Sequence, residues 1–432
     1  YTGEDTLSLH DALPIFSADD RFEFKFGLGE SHYKYRFSQV ALGSTGLLNT
    51  MEESQSFKDL SQSWNGKLTQ VLSNGHQMVS GIELEGVRRT EDSVAEVADD
   101  AGNMRARTQR WALYTQDEWS INPNWSAHAG LRYESILTEG VNEEGEKRNK
   151  SGVLTPLLHA VWKPVPNSRD QVRMSLTRSY KTPTLFNLVA RTALSREANS
   201  PTRPDRIGNP GLKPELATGI DIAVERYLAD GGVLSANVFR RNISDLIRYV
   251  TSERYDTVWA PGQRRFVSSP QNVGDAMTQG VELEAKFRLD QVWSTVPAVD
   301  IRSNLSFFNS RVLDVMGPNN RLDQQPKMTA NLGSDYRIRS FPLTVGGNIN
   351  INPDYTTRRT QEQWVYQGSK RVVDVYGLWR ISGTNAVRLT VSNLVPRDYV
   401  TATTFNSGSM SETARTTDRN WRNVQLRLEM KI

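Results

Sequence analysis

From Val424 onward every second residue is apolar: Val424, Leu426, Leu428, Met430 and Ile432. The residues between them, Gln425, Arg427, Glu429 and Lys431, are polar or charged. A period of two places these sets on opposite faces of an extended strand, one greasy and one wet. The pattern recurs upstream. Val281, Leu283, Ala285, Phe287 and Leu289 alternate with Glu282, Glu284, Lys286 and Arg288, and Val387, Leu389 and Val391 alternate with Arg388, Thr390 and Ser392. Leu343, Val345, Ile349 and Ile351 share a face, as do Ala127, Ala129, Leu131 and Tyr133, and Phe22, Phe24, Phe26 and Leu28.

Segments of this kind number about seventeen, and many reach roughly ten residues, whereas soluble strands average about five or six. A strand crossing a bilayer needs about nine to eleven residues, so the lengths favour a membrane wall. Mean hydropathy is −0.54, and no apolar run is long enough for a transmembrane helix. That value does not exclude a β-barrel, whose apolar face occupies alternate positions only. A soluble propeller would show a blade-like repeat of fixed period, and none is visible.

The connections alternate short and long. Tight Gly/Asn/Asp/Pro turns are expected at 29–31, 73–75, 122–124, 229–232 and 383–385. Long polar stretches cover 90–108, 138–151, 181–213, 250–275, 353–369 and 396–419. Short turns on one rim and long loops on the other are the asymmetry of an outer-membrane barrel, whose long loops face outward. The expected fold is therefore all-β, a transmembrane antiparallel barrel spanning residues 19–432. Residues 1–18 are expected to be a non-native or disordered leader. The stretch 1–16 resembles a translated sequencing-adapter artefact, with a natural loop as the alternative. No secretory signal peptide is visible, which is expected of a missing N-terminal portion.

Charge and composition exclude other classes. With 52 Lys plus Arg against 49 Asp plus Glu, the chain lacks the basic excess of a nucleic-acid binder. It has no cysteine, which removes disulfides, thiolate metal sites and cysteine nucleophiles. His10, His32, His76, His128 and His159 are scattered without metal-site spacing. No nucleophile elbow, P-loop or dinucleotide fingerprint occurs. No catalytic residue, cofactor or metal is expected.

Several short motifs carry a family likeness. Asn209, Pro210, Gly211, Leu212, Lys213, Pro214 and Glu215 form an NPxLKPE element, and Arg178 to Leu185 reads RSYKTPTL. Gln279-Gly280-Val281-Glu282-Leu283-Glu284, Val391-Ser392-Asn393-Leu394, and the pair Gln116-Asp117-Glu118-Trp119 with Gly130-Leu131-Arg132-Tyr133-Glu134 complete the set. In this order they resemble the C-terminal barrel of a TonB-dependent outer-membrane receptor of siderophore-receptor type, from residue 19 to the end. The resemblance implies a barrel of about twenty-two strands, of which roughly the last seventeen are present, with the N-terminal plug and its coupling box missing. Family members usually end on an aromatic residue read by the barrel-assembly machinery. Ile432 stands on the correct face but is not aromatic, so assembly is expected to be less efficient.

What the likeness implies is energised uptake of a scarce ligand, an iron(III)–siderophore first, driven by the TonB complex through the plug. Arginines beside aromatic rings in the long stretches suit a flat anionic ligand, through charge-assisted hydrogen bonds and cation–π contacts. The candidates are Arg254, Tyr255, Trp259, Arg264 and Arg265, then Tyr355, Arg358, Arg359, Trp364 and Tyr366, and a third group of Arg191, Arg196, Arg203 and Arg206. The same residues also suit lipopolysaccharide phosphates or simple loop solubility. Alternatives to siderophore uptake are a passive porin-like channel, or a glycan or cobalamin receptor.

Overall fold

The computed structural model describes residues 5–9, 20–42, 48–95, 102–142, 145–166, 168–189, 192–195, 197–228 and 231–430. One antiparallel sheet dominates them. It begins with β1 (Asp5–Leu9), β2 (Asp20–Leu42), β3 (Leu48–Val71), β4 (His76–Ala95), β5 (Gly102–Asn122), β6 (Trp125–Asn142), β7 (Gly145–Trp162) and β8 (Gln171–Lys181). A connection carrying helix α1 (Leu185–Val189) and β9 (Asp205–Arg206) leads to β10 (Glu215–Tyr227) and β11 (Val233–Ser244). The hairpin of β12 (Ile247–Arg254) and β13 (Arg265–Asn272) precedes β14 (Ala276–Arg288), β15 (Val299–Val312), β16 (Met328–Arg337) and β17 (Leu343–Asn352). The hairpin of β18 (Tyr355–Arg358) and β19 (Gln363–Gln367) precedes β20 (Lys370–Arg380) and β21 (Asn385–Ser392). Last come the hairpin of β22 (Tyr399–Ser407) and β23 (Met410–Asp418), and then β24 (Asn423–Met430).

Among the described residues the main sheet has 17 strands. Each but the first and last pairs with the main-sheet strand before it and the one after it, an up-and-down meander, while among the described residues β1 pairs only with β2 and β24 only with β21. The alternation read from the sequence becomes a continuous outer belt through the register. Ile82 faces Leu113, Leu113 faces Tyr133, and Tyr133 faces Leu154. Farther round, Ile222 faces Val238, Val238 faces Val281, and Val281 faces Phe307. These large side chains are exposed, which is the arrangement of a surface solvated by lipid. No helix of the described residues is long and apolar enough to cross a membrane.

The tight turns at 73–75, 122–124 and 383–385 fall between strands as expected, and of the turn expected at 229–232 residues 229 and 230 lie outside the described residues. Gly75 and Gly231 take φ of +83° and +86°, conformations that favour glycine. At 122–124 the Asn122 side chain accepts the Asn124 and Trp125 amides at 2.9 and 3.0 Å, closing an Asx turn. The turn expected at 29–31 is not one. Gly29 lies in mid-ladder opposite Ser61, and β2 continues to Leu42, because polar residues with unbroken alternation extend a ladder as readily as they end it. The described parts of the stretches 90–108 and 138–151 are likewise strand, and 96–101 and 143–144 lie outside the described residues. Of residues 1–18, only β1 is described. It pairs with β2 from Asp5 opposite Glu30 to Leu9 opposite Phe26.

Candidate functional site

Turns of a few residues close one rim, and the long connections crowd the other. By the barrel asymmetry the second is the outer rim. There the connection between β8 and β10 and the three hairpins fold over the mouth as a canopy. β9 pairs in parallel with β13, joining Asp205 to Val267 and Arg206 to Ser268. β19 pairs with β22 from Gln363 opposite Phe405 to Gln367 opposite Thr401. Phe266 meets Phe405 edge-on at 6.0 Å, so the two small sheets touch. The Ser200 hydroxyl donates to Glu412 at 2.6 Å, and Thr202 donates to the same oxygen.

Asp205 is the centre of the first hairpin's attachment. It is fully buried and accepts both arms of Arg265, at 2.7 and 2.8 Å. The Trp259 indole N–H donates to it at 3.0 Å and the Ser195 amide at 2.9 Å. Burial alone would raise its pKa, but these donors and the Arg265 charge hold the carboxyl below the usual range. Arg248 knits the next group of loops. Its buried guanidinium donates to the carbonyls of Arg358 and Arg359 at 3.4 Å and to that of Arg321, and it pairs with Asp323 at 3.2 Å. Burial draws the pKa of Arg248 down, with Asp323 opposing.

The canopy rests on the barrel through a small apolar core. Leu188 and Val189 of α1 pack with Met104 and Ala106 of β5 and with Leu212. Gly140 on β6 permits this approach, since a Cβ there would lie 3.1 Å from the Val189 side chain. The Asn209, Pro210, Leu212, Lys213, Pro214 and Glu215 stretch is the clasp. The Asn149 amide donates to the Pro210 and Leu212 carbonyls at 2.7 and 2.8 Å, and the Asn209 amide donates to that of Pro270. The Lys213 amide donates to Asn272, and Glu215 accepts the Ile247 amide at 2.8 Å. The motif therefore joins β7, β10 and the β12–β13 hairpin.

The remaining sequence-predicted residues fall into two groups. At the tip of the β12–β13 hairpin, Tyr255 and Arg264 are exposed and share Glu253, at 2.7 and 2.9 Å, while Arg254 pairs with Asp256. Arg265 and Trp259 are instead tied to Asp205. In the β18–β19 hairpin, Arg358 lies 5.0 Å over the Trp364 ring and Arg359 pairs with Asp323 at 3.4 Å. Tyr366 stands opposite Thr356 and Ala402, and Tyr355 opposite Gln367. Arg203 pairs with Glu197, and Arg206 is exposed. Arg191 and Arg196 lie outside the described residues. Asp205, Arg248, Asp323 and Glu412 escaped the sequence reading, as did the connection 313–327, which supplies Asp323. Their signal was the presence of acids interspersed among the loop arginines.

Below the canopy the inner wall is a charged ladder. Arg110 pairs with Glu85 at 2.7 Å and with Glu134 at 3.3 Å, and Arg132 pairs with Glu83 at 2.5 Å and with Glu134. Tyr180 also donates to Glu134. Among the described residues no acid or histidine cluster could hold a metal ion. The arrangement sets exposed arginine and aromatic side chains at the rim above a polar inner wall.

Comparison with known proteins places this geometry. The family model described as TonB dependent receptor-like, beta-barrel matches residues 4–394. The vitamin B12 transporter BtuB of Photobacterium profundum is 21% identical over 339 residues, covering 74% of the chain and 52% of that protein. Hemoglobin-binding protein A of Haemophilus influenzae is 27% identical over 210 residues, 45% of the chain and 20% of that protein. The chain thus spans about half or less of these curated relatives. Among solved structures, the siderophore receptor PiuA from Acinetobacter baumannii superposes with TM-score 0.67 at 15% identity, covering 99% of the chain and 64% of that structure. The copper transporter OprC gives 0.68 at 13%, covering 92% and 60%.

Proposed function

The chain belongs to the TonB-dependent receptor-like β-barrel family of outer-membrane proteins, and from that premise we infer that it forms the wall and capturing rim of a receptor for an anionic metal chelate, an iron(III)–siderophore first. The observation that carries this reading is the canopy tip, where Tyr255 and Arg264 stand exposed beside one another at the mouth. A guanidinium beside an aromatic ring binds a flat, oxygen-rich anion by charge-assisted hydrogen bonds and stacking. Solved siderophore receptors share the fold, which supports the same reading.

A barrel of this width cannot fill its lumen with wall side chains, so a plug must seal it. Ligand captured by the canopy would signal through the plug to the TonB complex, which draws on the proton-motive force to open a path. The charged ladder of Arg110, Arg132, Glu83, Glu85 and Glu134 supplies a polar wall for that path. Insertion into the outer membrane would use the barrel-assembly machinery. A cobalamin cargo is the second reading, favoured by the vitamin B12 transporter among the relatives.

The test is ligand binding by the full-length receptor, read by tryptophan quenching with ferric siderophores and with cyanocobalamin. The double variant Tyr255→Ala, Arg264→Ala should weaken the ferric chelate about tenfold or more, a loss on the scale of one or two charge-assisted and stacking contacts. Tight cobalamin binding with no response to any anionic ferric chelate would overturn the siderophore reading.

A further inference from the structure

Among the described residues two histidines meet. His128 on β6 and His159 on β7 are direct register partners, and their rings stack at 5.5 Å with 19° between the planes. Distance along the chain hid the pair from the sequence, because only antiparallel pairing brings the two together. The other described histidines have different neighbours. His76 is held by Asp117 at 2.7 Å and stacks on Trp119, and His32 stands beside Ser56 at 3.3 Å.

Alternation turns both His128 and His159 into the lumen, because Leu131 and Leu158, of opposite parity, are exposed on the outer belt. The pair lies near the inner rim, just above the stacked Trp125 and Trp162 that follow the 122–124 turn. The Nε2 atom of His128 is buried and has no hydrogen-bond partner. An orphaned nitrogen of this kind costs free energy unless a donor or a cation meets its lone pair.

Metal–imidazole bonds of about 2.0–2.1 Å set two donors of one ion roughly 3–4 Å apart. Rings whose centroids lie 5.5 Å apart reach that spacing when each turns about its Cβ–Cγ bond to aim a nitrogen at the other. Glu118 is the register neighbour of His128 on β5, and its carboxylate favours positive charge at that end of the row. On the other side Asp221 is already taken, by Arg241 at 2.9 Å and by the Ser175 hydroxyl at 3.4 Å. No third acid or histidine completes a closed cage among the described residues.

We propose that His128 and His159 form a two-imidazole clip for a late first-row divalent cation at the inner end of the lumen wall. Imidazole suits copper, zinc and nickel, and copper(II) binds most tightly in the general order of these ions. Water, or a small ligand that the ion carries with it, fills the remaining positions. The clip ties β6 to β7, so the bound ion also stabilises that hairpin by mass action. It rests on the wall alone and stands whether or not the rim takes a ferric chelate.

The test uses untagged full-length receptor in detergent, stripped with a chelator and titrated with a copper(II) or zinc(II) salt alone. Affinity is read by competition with a metal indicator, and the copper site by the nitrogen splitting of its EPR spectrum. Splitting from two imidazole nitrogens is expected, and calcium(II), which takes oxygen ligands, should not displace the ion. His128→Asn and His159→Asn should each weaken binding about a hundredfold, the upper end of what losing even a supporting partner of a metal site costs. His76→Asn, on the outward face, should leave it unchanged. Folding is checked by the heat-modifiable shift on gels, and His128→Gln or His159→Gln replaces a variant that does not fold. Unaltered affinity in a folded variant of either histidine overturns the proposal. So does splitting from a single nitrogen, or no binding at millimolar metal.

Discussion

The two parts of the wall use their outer sequence differently. Strands β2 to β7 run 18 to 24 residues, whereas the main-sheet strands from β8 onward run 8 to 14. Both cross the same bilayer, which needs only about nine to eleven residues. In the first part the surplus continues upward as paired hairpins. In the second it leaves the sheet and folds over the mouth. Proline explains much of the difference, because it cannot donate to a ladder. The β8–β10 connection holds Pro183, Pro201, Pro204, Pro210 and Pro214. The later outer connections contain Pro261 and Pro270, Pro318 and Pro326, Pro353, and Pro396. The outer stretches from β2 to the top of β7 contain none. Pro156 in β7 sits at the seam, where the pairing of β8 with β7 ends at Leu157 opposite Thr177.

If the canopy is a separate unit tied down by a few polar hubs, breaking one should free it and leave the hairpins intact. Asp205→Ala carries the largest expected effect. It strands Arg265 and should cost about 3 kcal/mol of canopy stability, the low end for a broken buried pair because Arg265 keeps some solvent. Hydrogen exchange should rise across 192–214 and 247–272 and stay constant in β2–β5. Equal loss of protection in both regions would show that hairpins and canopy open as one.

The height of the belt in the tall staves is the next point of attack. Leu113→Arg should cost about 2–4 kcal/mol in reversible unfolding from vesicles, whereas Leu137→Arg, outward but above the belt, should cost about 0–1 kcal/mol. Similar costs at both positions would mean that lipid reaches farther up these hairpins. A smaller change is expected where Ser200 and Thr202 meet Glu412. Thr202→Val removes one of two hydroxyl donors to Glu412 and should cost about 1 kcal/mol, read as faster protease cleavage at 197–203.

Acid should weaken the Asp205 hub and the Glu412 contact by degrees. The folded-state pKa values of Asp205 and Glu412 both lie below their ordinary values, burial being outweighed by hydrogen bonds from Arg265 and from Ser200 and Thr202. Each therefore adds stability that is complete above the unfolded carboxyl values near 4 and is lost as pH falls through the folded values. Canopy exchange should accelerate below about pH 4, and Asp205→Ala should blunt that acid step. An acid response of full size in the variant would assign it to other groups.

The misplaced boundaries show how far local pattern reaches. The stretches 90–108 and 138–151 are as polar as 181–213, and polarity alone made all three look like loops. The proline-free ones stayed in the ladder. The candidate arginines show a different limit. Arg264 and Arg265 are adjacent and chemically identical, yet one is exposed at the tip and the other is locked onto Asp205.

Period-two patterning determined the wall and its outer belt, because side-chain direction in a strand follows from position parity alone, and the alternation of short and long connections assigned the rims. The ordered motifs, NPGLKPE among them, determined the family. Tertiary structure decided which loop charges face the medium and which hold the canopy together. The partners of Arg265 and of Glu412 lie 60 and more than 200 residues away in the chain, so only the convergence of distant loops could bring those charges into contact.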